Sequence, residues 1–458
     1  MNLEHLGIQV DLQNTPALDP GFLPLHRFHE SFLCTARRPF HIAVERPGGT
    51  AVFHTRIHGT PDRFEADVFH VERLVKTLLW LKGGFRVLLS GDRAVCDAIA
   101  RQYAPGTPRD FDVCFLSDVF GQSFSVERVD DIPEAREAPL SAGGAAEGCR
   151  IGFDAGGSDR KVSAVIDGQV VYSRETVWLP KEHADLRYHY EGIVDSLRHA
   201  AAHLPRVDAV GVSTAGICQN DRVLRSALFE RVPRDEFDPD IYRRAVTDLF
   251  GPIPCAVAND GDVSALAGAL SVGERDVLGL AMGTSEAAGY VDSDGRLTGW
   301  FNELAFVPVD ASPSAPTDLW SGDRGCGAGY FSQDAVIRLA SAAGIPLEAA
   351  LTPAEKLTAV QDLLATGDPR AAAVFEDMGV YLAHALAGYH TFYRFRHVFL
   401  QGRVVSGAGG ERMLARCRDV LAEEYPELAR SVRLHMPADD LRRVGQAVAA
   451  AGLPAIPR

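Results

Sequence analysis

The stretch that decides the fold is Cys149–Tyr172, CRIGFDAGGSDRKVSAVIDGQVVY. Apolar residues alternate with small or polar ones before the turn at Asp154–Ser158, and the alternation resumes after it, a period of two that is typical of strands. Asp167-Gly168 is a strong signal for a second tight turn. The stretch therefore predicts three consecutive strands joined by two short turns.

The first of these turns carries chemistry as well as geometry. Gly156 and Gly157 allow backbone conformations that are closed to other residues, and the tip presents bare amides beside the hydroxyl of Ser158. A concave cluster of amides binds anions such as phosphate. A plain hairpin in a mixed sheet would have the same sequence, because a glycine-rich turn is a weak signal when it stands alone.

The rest of the chain repeats this opening scheme. Residues 277–299, VLGLAMGTSEAAGYVDSDGRLTG, again indicate strand, small-residue turn, strand and hairpin. Residues 397–410, HVFLQGRVVSGAGG, indicate strand, glycine turn and helix start. We expect helices near 190–202, 331–342, 371–391 and 441–451. Two sets of strands, each followed by helices, predict two similar α/β lobes that face one cleft.

Together the turns offer the groups that a kinase needs. Amides and hydroxyls hold phosphates without adding negative charge, one carboxylate keeps hydrated Mg²⁺ in place, and a second accepts the proton of the attacking hydroxyl. We predict that Asp154 binds Mg²⁺ through water and that Asp260 is the catalytic base. The predicted nucleotide-binding residues are Asp154, Gly156, Gly157, Ser158, Gly283, Thr284, Ser285, Gly402, Ser406 and Gly407.

The ordered motifs resemble those of the ROK family of sugar kinases and repressors, within the wider actin, hexokinase and Hsp70 fold group. FDAGGSDRK (153–161) and LAMGTSEAAGYVDSDGRL (280–297) are similar to the family's two phosphate loops, and FLQGRVVSGAGG (399–410) to its adenosine-side loop. STAGICQN (213–220) is similar to the substrate-side loop, and VANDGDVSALAGAL (257–270) to the Asn-Asp signature.

This resemblance covers residues 149–458 and implies a two-lobed actin-like (ribonuclease H-like) ATPase fold. It implies that Asp260 is the base and that the sugar is contacted by Asn259, Glu303, Thr214 and Gly216. It also implies ATP and Mg²⁺ as cofactors.

The family's zinc motif is degenerate in this chain. Members commonly carry Gly-Glu-x-Gly-His, but residues 302–306 read NELAF, so Phe306 stands at the histidine while Glu303 is retained. Of three zinc cysteines only Cys326 is present, with Tyr330 and Ser332 about where the last cysteine and a second glutamate would be. Zinc needs three or four soft or imidazole ligands, so we expect no zinc site.

The adenosine-side loop departs from the family as well. Gln401 and Arg403 stand where glycines are usual. The resemblance therefore indicates the fold more firmly than it indicates the nucleotide.

Each acidic candidate also has a purely structural interpretation. Asp260 precedes a predicted helix, where an N-cap is worth about 1 kcal/mol. Asp154 could stabilise its own turn. Glu303 lies between apolar residues, where burial is costly without a partner, so it is either a sugar ligand or a residue at the edge of the cleft.

Composition excludes several classes of protein. The chain has 458 residues, 46% of them hydrophobic and 23% charged, enough for two or three domains with full cores. The net charge of −15 argues against nucleic acid and anionic membranes as partners. No apolar run predicts a membrane span, and the N-terminus does not resemble a signal peptide. The eight cysteines are too dispersed for a redox pair, so we expect free thiols in a cytoplasmic protein.

A linker divides the chain. Residues 130–148, DDIPEAREAPLSAGGAAEG, are rich in Pro, Gly, Ala and acidic residues. They separate an N-terminal α/β domain, residues 1–140, from the kinase-like part, residues 149–458. We assign lobe I to residues 149–262 plus a C-terminal helix at 438–458, and lobe II to residues 263–437.

The N-terminal domain is acidic and does not resemble a DNA-binding module. We expect a strand pair at 40–57, a helix at 66–84, a strand, turn and helix at 85–103, and a strand at 111–120. This order echoes the lobes, so the domain is either a degenerate third lobe or an unrelated α/β domain. It could dock on the kinase, cover the cleft or form a homodimer.

The sequence thus predicts an ATP- and Mg²⁺-dependent kinase for a hydroxyl of a sugar or sugar-like polyol. The alternative is a catalytically weak regulatory protein of ROK type that senses a sugar or nucleotide and has no DNA-binding domain. The lost zinc and histidine positions favour the alternative. The retained Asp154, Asn259, Asp260 and Glu303 favour the kinase.

Overall fold

The computed structural model describes residues 1–137, 143–436 and 441–456, without the side chains of residues 441–444. Residues 1–137, here called the front part, contain seven strands and four helices. The strands are β1 (Asn2–His5), β2 (Ile8–Asp11), β3 (Arg38–Arg46), β4 (Gly49–Ile57), β5 (Arg86–Ser90), β6 (Ser125–Arg128) and β7 (Arg136–Glu137). The helices are α1 (Leu25–Thr35), α2 (Phe64–Lys82), α3 (Arg93–Gln102) and α4 (Asp110–Phe120).

The front sheet does not repeat the topology of the lobes. Its strand order is β6-β5-β3-β4-β7, and β3 runs antiparallel to both β4 and β5. In the lobe that follows, the first strand is instead parallel to the strand after the crossover helix. The strand pairing of the front sheet thus differs from that of the lobe, and the choice between a degenerate third lobe and an unrelated α/β domain stays a prediction.

The strand predicted at 111–120 is wrong, because these residues form α4. Val113, Leu116 and Val119 recur at helical spacing and are buried. Phe111 and Phe115 pack on Trp80 of α2, with ring centroids 5.9 and 5.2 Å apart. The apolar residues of this run fit both the strand period of two and the helical period of about 3.6 residues. Packing on α2 favours the helix.

Lobe I contains the decisive stretch. Its strands are β8 (Cys149–Ala155), β9 (Asp159–Ile166), β10 (Gln169–Val177), β11 (Ala209–Thr214), β12 (Ile217–Gln219), β13 (Arg222–Arg225) and β14 (Cys255–Asn259). Its helices are α5 (Leu186–Ala201) and α6 (Ile241–Phe250), and α7 (Asp260–Val272) begins at the end of β14 and leads from the predicted lobe I into lobe II. The sheet has the order β10-β9-β8-β11-β14, with β8, β11 and β14 parallel. The three predicted strands and the predicted α5 are confirmed.

Lobe II is built around a second sheet of order β16-β15-β17-β18. The strands are β15 (Val277–Met282), β16 (Glu286–Val291), β17 (His397–Gln401) and β18 (Arg433–His435). The helices are α8 (Gln333–Ala342), α9 (Pro353–Ala365), α10 (Pro369–Tyr393), α11 (Gly407–Glu424) and α12 (Pro426–Ser431). The helices predicted at 331–342 and 371–391 are confirmed as α8 and α10.

The last helix, α13 (Leu441–Ala451), returns to lobe I and confirms the helix predicted there. A Cβ built on Gly152 of β8 would lie 1.6 Å from the carbonyl oxygen of Ala447, and one on Gly211 of β11 would lie 1.7 Å from that of Ala450. Only glycine permits this approach of helix and sheet. Residues 438–440 and 457–458 of the predicted segment lie outside the described residues.

The front part docks on lobe II through buried charges, here called the charge network. Three cations, Arg73, Lys76 and Arg109, contact the carboxylate of Asp323 at 3.0, 3.0 and 2.8 Å. Glu72 and Asp112 complete the set by pairing with Arg109 and Lys76. Three positive and three negative charges balance, as buried ions require.

The front part meets lobe I by a lighter contact. Asp118 of α4 pairs with Arg225 of β13 and lies 3.2 Å from Arg234, all at partly exposed positions. Exposed ion pairs contribute at most about 1 kcal/mol. The front part is therefore anchored on lobe II and only lightly attached to lobe I.

Both described ends of the predicted linker form backbone hydrogen bonds with neighbouring structure, one with the front sheet and the other with the residue after α13. Thr50 and Gly49 of β4 pair with β7, and the amide of Ala145 donates to the carbonyl of Gly452 at 3.0 Å. Residues 138–142 of the linker lie outside the described residues. Within the described ranges, no helix combines the length and apolar character needed to cross a membrane.

Candidate active site

The centre of the candidate site is the junction of β14 and α7. The side-chain oxygen of Asn259 accepts from the amide of Gly261 at 2.7 Å, so Asn259 is the N-cap of α7. Its side-chain nitrogen donates to the carbonyl of Gly216 at 2.7 Å. Gly216 has φ +114°, and a Cβ there would lie 2.3 Å from a carbonyl oxygen of β13. Asn259 thus ties the β11–β12 turn to the start of the helix.

Asp260 follows as the first residue of α7 and is not its cap. Its carboxyl accepts from the amide of Gly261 at 3.0 Å and forms no ion pair with any described residue. Burial raises its pKa above the ordinary value. Capping therefore does not account for Asp260, and its carboxyl retains free capacity to accept a proton.

A cavity of about 150 Å³ opens beside this junction. Gly216, Asn259 and Asp262 line it from the lobe I side, and Gly299, Trp300 and Phe301 from the loop after β16. Its other walls are Ile217, Cys218, Gln219, Asn220, Asp221, Val257 and Ala258. Asp260 and Glu303 are not among its wall residues: Asp260 directly follows Asn259 in the chain, and Glu303 lies two residues after Phe301.

Three carboxyls around the cavity influence one another. Burial raises the pKa of Glu303 to about 7, and the negative charges of Asp260 and Asp262 act in the same direction. Burial also raises the pKa of Asp262 to about 7, although the side chain of Asn302 donates to it at 2.8 Å. Carboxyls with raised pKa values at a cleft are suited to proton transfer near neutral pH.

Thr214 does not join this group. It is fully buried, and its hydroxyl pairs with the phenol of Tyr242 at 2.9 Å in the core of lobe I. The predicted contact of Thr214 with a sugar therefore has no geometric support. Gly216, two residues later, does reach the cavity.

Asp154 lies at the end of β8, opposite Ser213 of β11. The Ser213 hydroxyl donates to its carboxylate at 2.6 Å. Burial raises the pKa of Asp154 to about 6, although Lys161 opposes the shift, and Asp260 contributes to it. A buried carboxylate held this way favours a bound cation, because a cation would restore its charged form.

The predicted phosphate turns have exposed tips. Gly157 and Ser158 are exposed between β8 and β9, and Thr284 and Ser285 between β15 and β16. A Cβ built on Gly157 would lie 3.7 Å from the ammonium nitrogen of Lys181. The first turn therefore has a cation beside it.

The third turn leads into α11. Gly402 has φ +102°, and a Cβ there would lie 2.2 Å from the carbonyl oxygen of Met282, so only glycine fits beside the second turn. The hydroxyl of Ser406 donates to the carbonyl of Arg403 at 2.7 Å and does not cap the helix. The first amides of α11, from Gly407 onward, are thus left for water or a ligand, and a helix N-terminus favours anions.

The residues at the degenerate zinc positions do not form a ligand set. Phe306 stacks on Trp80 of the front part, with centroids 4.3 Å apart. Cys326 contacts Asp323 at 3.8 Å, Tyr330 donates to Asp310 at 2.6 Å, and Ser332 donates to a backbone carbonyl. Their side chains face different partners, so zinc does not fit these residues.

Purified protein is accordingly expected to contain less than stoichiometric zinc, because one thiol cannot hold the ion alone. Elemental analysis after dialysis measures this. One tightly bound zinc per chain would contradict the expectation.

Sequence reasoning missed several contributors to the site. Asp262 is two residues from Asp260 and was signalled only by that spacing. The amides of Asn302 and Glu303 donate to the carbonyls of Leu81 and Trp80, each at 3.0 Å. The end of α2 therefore supports the loop that carries Glu303, and no local pattern indicates a contact between residues so distant in sequence.

Comparison with known proteins supports the fold. No protein-family model and no curated protein sequence matches the chain. The structure is similar to a ROK hexokinase from Thermus thermophilus, with TM-score 0.51 and 22% identity over 66% of this chain and 96% of the other.

It is also similar to a ROK family transcriptional regulator described as a homologue of the E. coli MLC protein. The TM-score is 0.53 and the identity 15%, over 78% of this chain and 88% of the other. The chain thus has the two-lobed actin-like fold of ROK proteins, and the predicted fold and its resemblance are confirmed at that level.

Proposed function

We propose that this chain, which has the ROK fold, transfers the γ-phosphoryl group of ATP to a hydroxyl of a sugar or sugar-like polyol. Asp260 accepts the proton of the attacking hydroxyl, and the acceptor occupies the cavity beside Asn259. Glu303 and the amide of Asn259 orient the acceptor hydroxyls. Closure of the lobes would exclude water and limit hydrolysis of ATP.

The observation that carries the proposal is the arrangement around Asp260. A carboxyl that neither caps its helix nor forms an ion pair lies beside a cavity with two further carboxyls. Asp262 accepts a hydrogen bond from Asn302, but Asp260 and Glu303, which are half-buried, have no side-chain partner among the described residues. A carboxyl that is partly removed from water without a partner is costly. A sugar has several hydroxyls, so one can donate to Asp260 and another to Glu303.

The other groups fit a magnesium nucleotide. Asp154 is a hard oxygen ligand of the kind that Mg²⁺ prefers, and bound Mg²⁺ would neutralise charge that develops on the phosphates. Gly157 and Ser158 would hold phosphate oxygens through their amides, with Lys181 beside them. The open amides at the start of α11 would receive another part of the nucleotide.

The experiment that tests the proposal is phosphoryl transfer from ATP across a panel of sugars and polyols. Transfer should require Mg²⁺ and stop with EDTA. Product formation is followed by coupled ADP detection and confirmed by mass spectrometry of the phosphorylated acceptor. Hydrolysis of ATP that no acceptor stimulates would argue against the proposal.

A second candidate function is a regulatory protein that binds sugar without efficient turnover. The regulator with the ROK fold aligns with 78% of this chain, more than residues 149–458 alone amount to. Phe306 packs into the front part instead of facing the cavity. Saturable sugar binding without phosphoryl transfer would favour this candidate over the kinase.

Magnesium binding is expected to weaken at acid pH. The raised pKa of Asp154, about 6, means that its carboxyl is protonated below that pH and charged above it. Because a metal requires the charged form, the apparent affinity for Mg²⁺ with ATP should be constant above pH 7 and fall by up to about tenfold per pH unit below pH 6.

Calorimetric titrations between pH 5 and 8 measure this dependence. The matched control is Asp154→Asn, which should bind Mg²⁺ with ATP more weakly and retain only the dependence of the nucleotide itself. Identical pH profiles for the parent and the variant would contradict the role of Asp154.

A further inference from the structure

The acceptor cavity continues into a second, smaller cleft whose outer wall belongs to the front part. This cleft of about 20 Å³ shares Ile217–Gln219 and Gly299–Phe301 with the cavity. Its other walls are Arg46 of β3, Lys82 of α2, Phe120 and Leu224. An acceptor too large for the cavity that extends into this cleft would contact two cations of the front part.

Within the described residues, Arg46 uses only one of its three side-chain nitrogens for hydrogen bonds. Its Nη1 donates to the carbonyls of Lys82 and Gly299 at 2.9 and 2.8 Å, which fixes the guanidinium in place. Its Nε and Nη2 have no hydrogen-bond partner among the described residues, and Nε is buried. The Nε and Nη2 edge of a guanidinium matches two oxygens of a carboxylate or phosphate. An unpaired buried donor is costly unless a ligand satisfies it.

The local charge also favours an anion. Lys82 pairs with Glu137 at 3.0 and 3.1 Å, and its ammonium lies 3.1 Å from the centre of the Trp300 ring. Arg46, Lys82 and Glu137 therefore sum to one positive charge. The carboxyls of Asp260, Asp262 and Glu303 belong to the other side of the cavity. They can accept hydrogen bonds from an acceptor hydroxyl there but would repel an anion.

We propose that the acceptor is an anionic sugar, one that carries a carboxylate or a phosphate at the end remote from the hydroxyl that reacts. This inference rests on the proposed function. Arg46 receives the anionic oxygens through Nε and Nη2, and Lys82 adds to the positive potential. Trp300, whose ring carries the Lys82 ammonium, forms part of the wall that the cavity and the cleft share.

The test compares four probes of similar size in the full chain: glucose, the sugar acids gluconate and glucuronate, and glucose 1-phosphate. Binding is measured by calorimetry without ATP, and kcat/KM with MgATP. At least one anionic probe should bind about tenfold or more tightly than glucose, because hydrogen bonds to charged groups are the strong ones. Which anion binds distinguishes carboxylate from phosphate.

Arg46→Gln removes the charge and the fork, and its shorter side chain ends near the position of the arginine Nε. It should lower the preference for the anionic probe over glucose by about 10–100-fold. Arg46→Lys keeps the charge and should retain part of the preference. The matched control is Arg56→Gln, an exposed cation of the same sheet that lines neither space; it should leave the preference unchanged.

The outcomes separate the two proposals. Two outcomes overturn the anionic acceptor without contradicting the kinase. One is phosphoryl transfer to glucose with no preference for an anionic probe. The other is an Arg46→Gln variant that loses affinity for glucose and for the anionic probe by the same factor. An anion preference that depends on Arg46, without phosphoryl transfer to any probe, supports this inference and overturns the kinase. Absence of detectable binding by every anionic probe overturns the inference.

Discussion

Replacing Asp260 with asparagine is expected to lower kcat for a verified acceptor by about 10²–10⁴-fold, the usual contribution of a positioned base. Asparagine keeps the size of the side chain but cannot accept the proton of the attacking hydroxyl. The N-cap of α7 is Asn259, so the helix and the fold should persist. Binding of MgATP should change little, because the groups that we propose for the nucleotide lie on the turns after β8, β15 and β17.

The matched control is Asp221→Asn. Asp221 lines the same cavity and has φ +59°, a conformation that asparagine also adopts readily. Its carboxyl accepts only from the amide of Val257, at 3.1 Å, which the amide oxygen of asparagine can also do. Its turnover should stay within about threefold of the parent, since it lacks a role in proton transfer. If Asp260→Asn behaves like this control, Asp260 is not the base.

The predictions from sequence succeeded where the decisive interactions are local. Alternation and tight turns of small residues or Asp-Gly suffice for β8 to β10 and for β15 with β16, because each strand pairs with its neighbour in sequence. The apolar run of α4 was ambiguous on its own. Its helical state depends on Trp80, some thirty residues earlier in the chain.

The residues of the candidate site likewise fall into two groups: those that the local sequence predicts and those that only folding brings together. Asn259 and Asp260 follow from a strand that ends in polar residues just before a helix. Thr214 lies in residues 213–220, the segment that resembles the family's substrate-side loop. Its hydroxyl nevertheless points into the core toward Tyr242, and no spacing in the sequence reveals this. Arg46 and the carbonyls of α2 come from the front part, and only the folded chain brings them to the cavity.

The front part also occupies the region where the resemblance leads one to expect zinc. Trp80 covers Phe306, and the charge network reaches Asp323, which contacts Cys326. The loop that carries Glu303 is held by the end of α2. We infer that docking of the front part supplies the support that a metal would otherwise give to this side of lobe II.

Replacing Asp323 with asparagine is therefore expected to lower the free energy of unfolding by about 3–5 kcal/mol, the range for breaking one side of a buried ion pair. Asp323 is nearly buried and lies within 3.0 Å of three cations. Although burial favours the neutral acid, Arg73 and Lys76 lower its pKa below the ordinary value, so it is charged at neutral pH. The variant leaves the charge network with an uncompensated buried cation. Denaturant unfolding at pH 7 measures the loss.

Two further variants separate charge from simple disruption of the interface. Asp118→Asn removes the exposed contact between the front part and lobe I and should cost no more than about 1 kcal/mol. Adding Lys76→Met to Asp323→Asn restores the balance of charge, while Asp112 keeps its bond from the indole of Trp80. The double variant should be more stable than Asp323→Asn alone, because coupled sites in one network are not additive. If Asp323→Asn costs no more than Asp118→Asn, the charge network does not anchor the front part on lobe II.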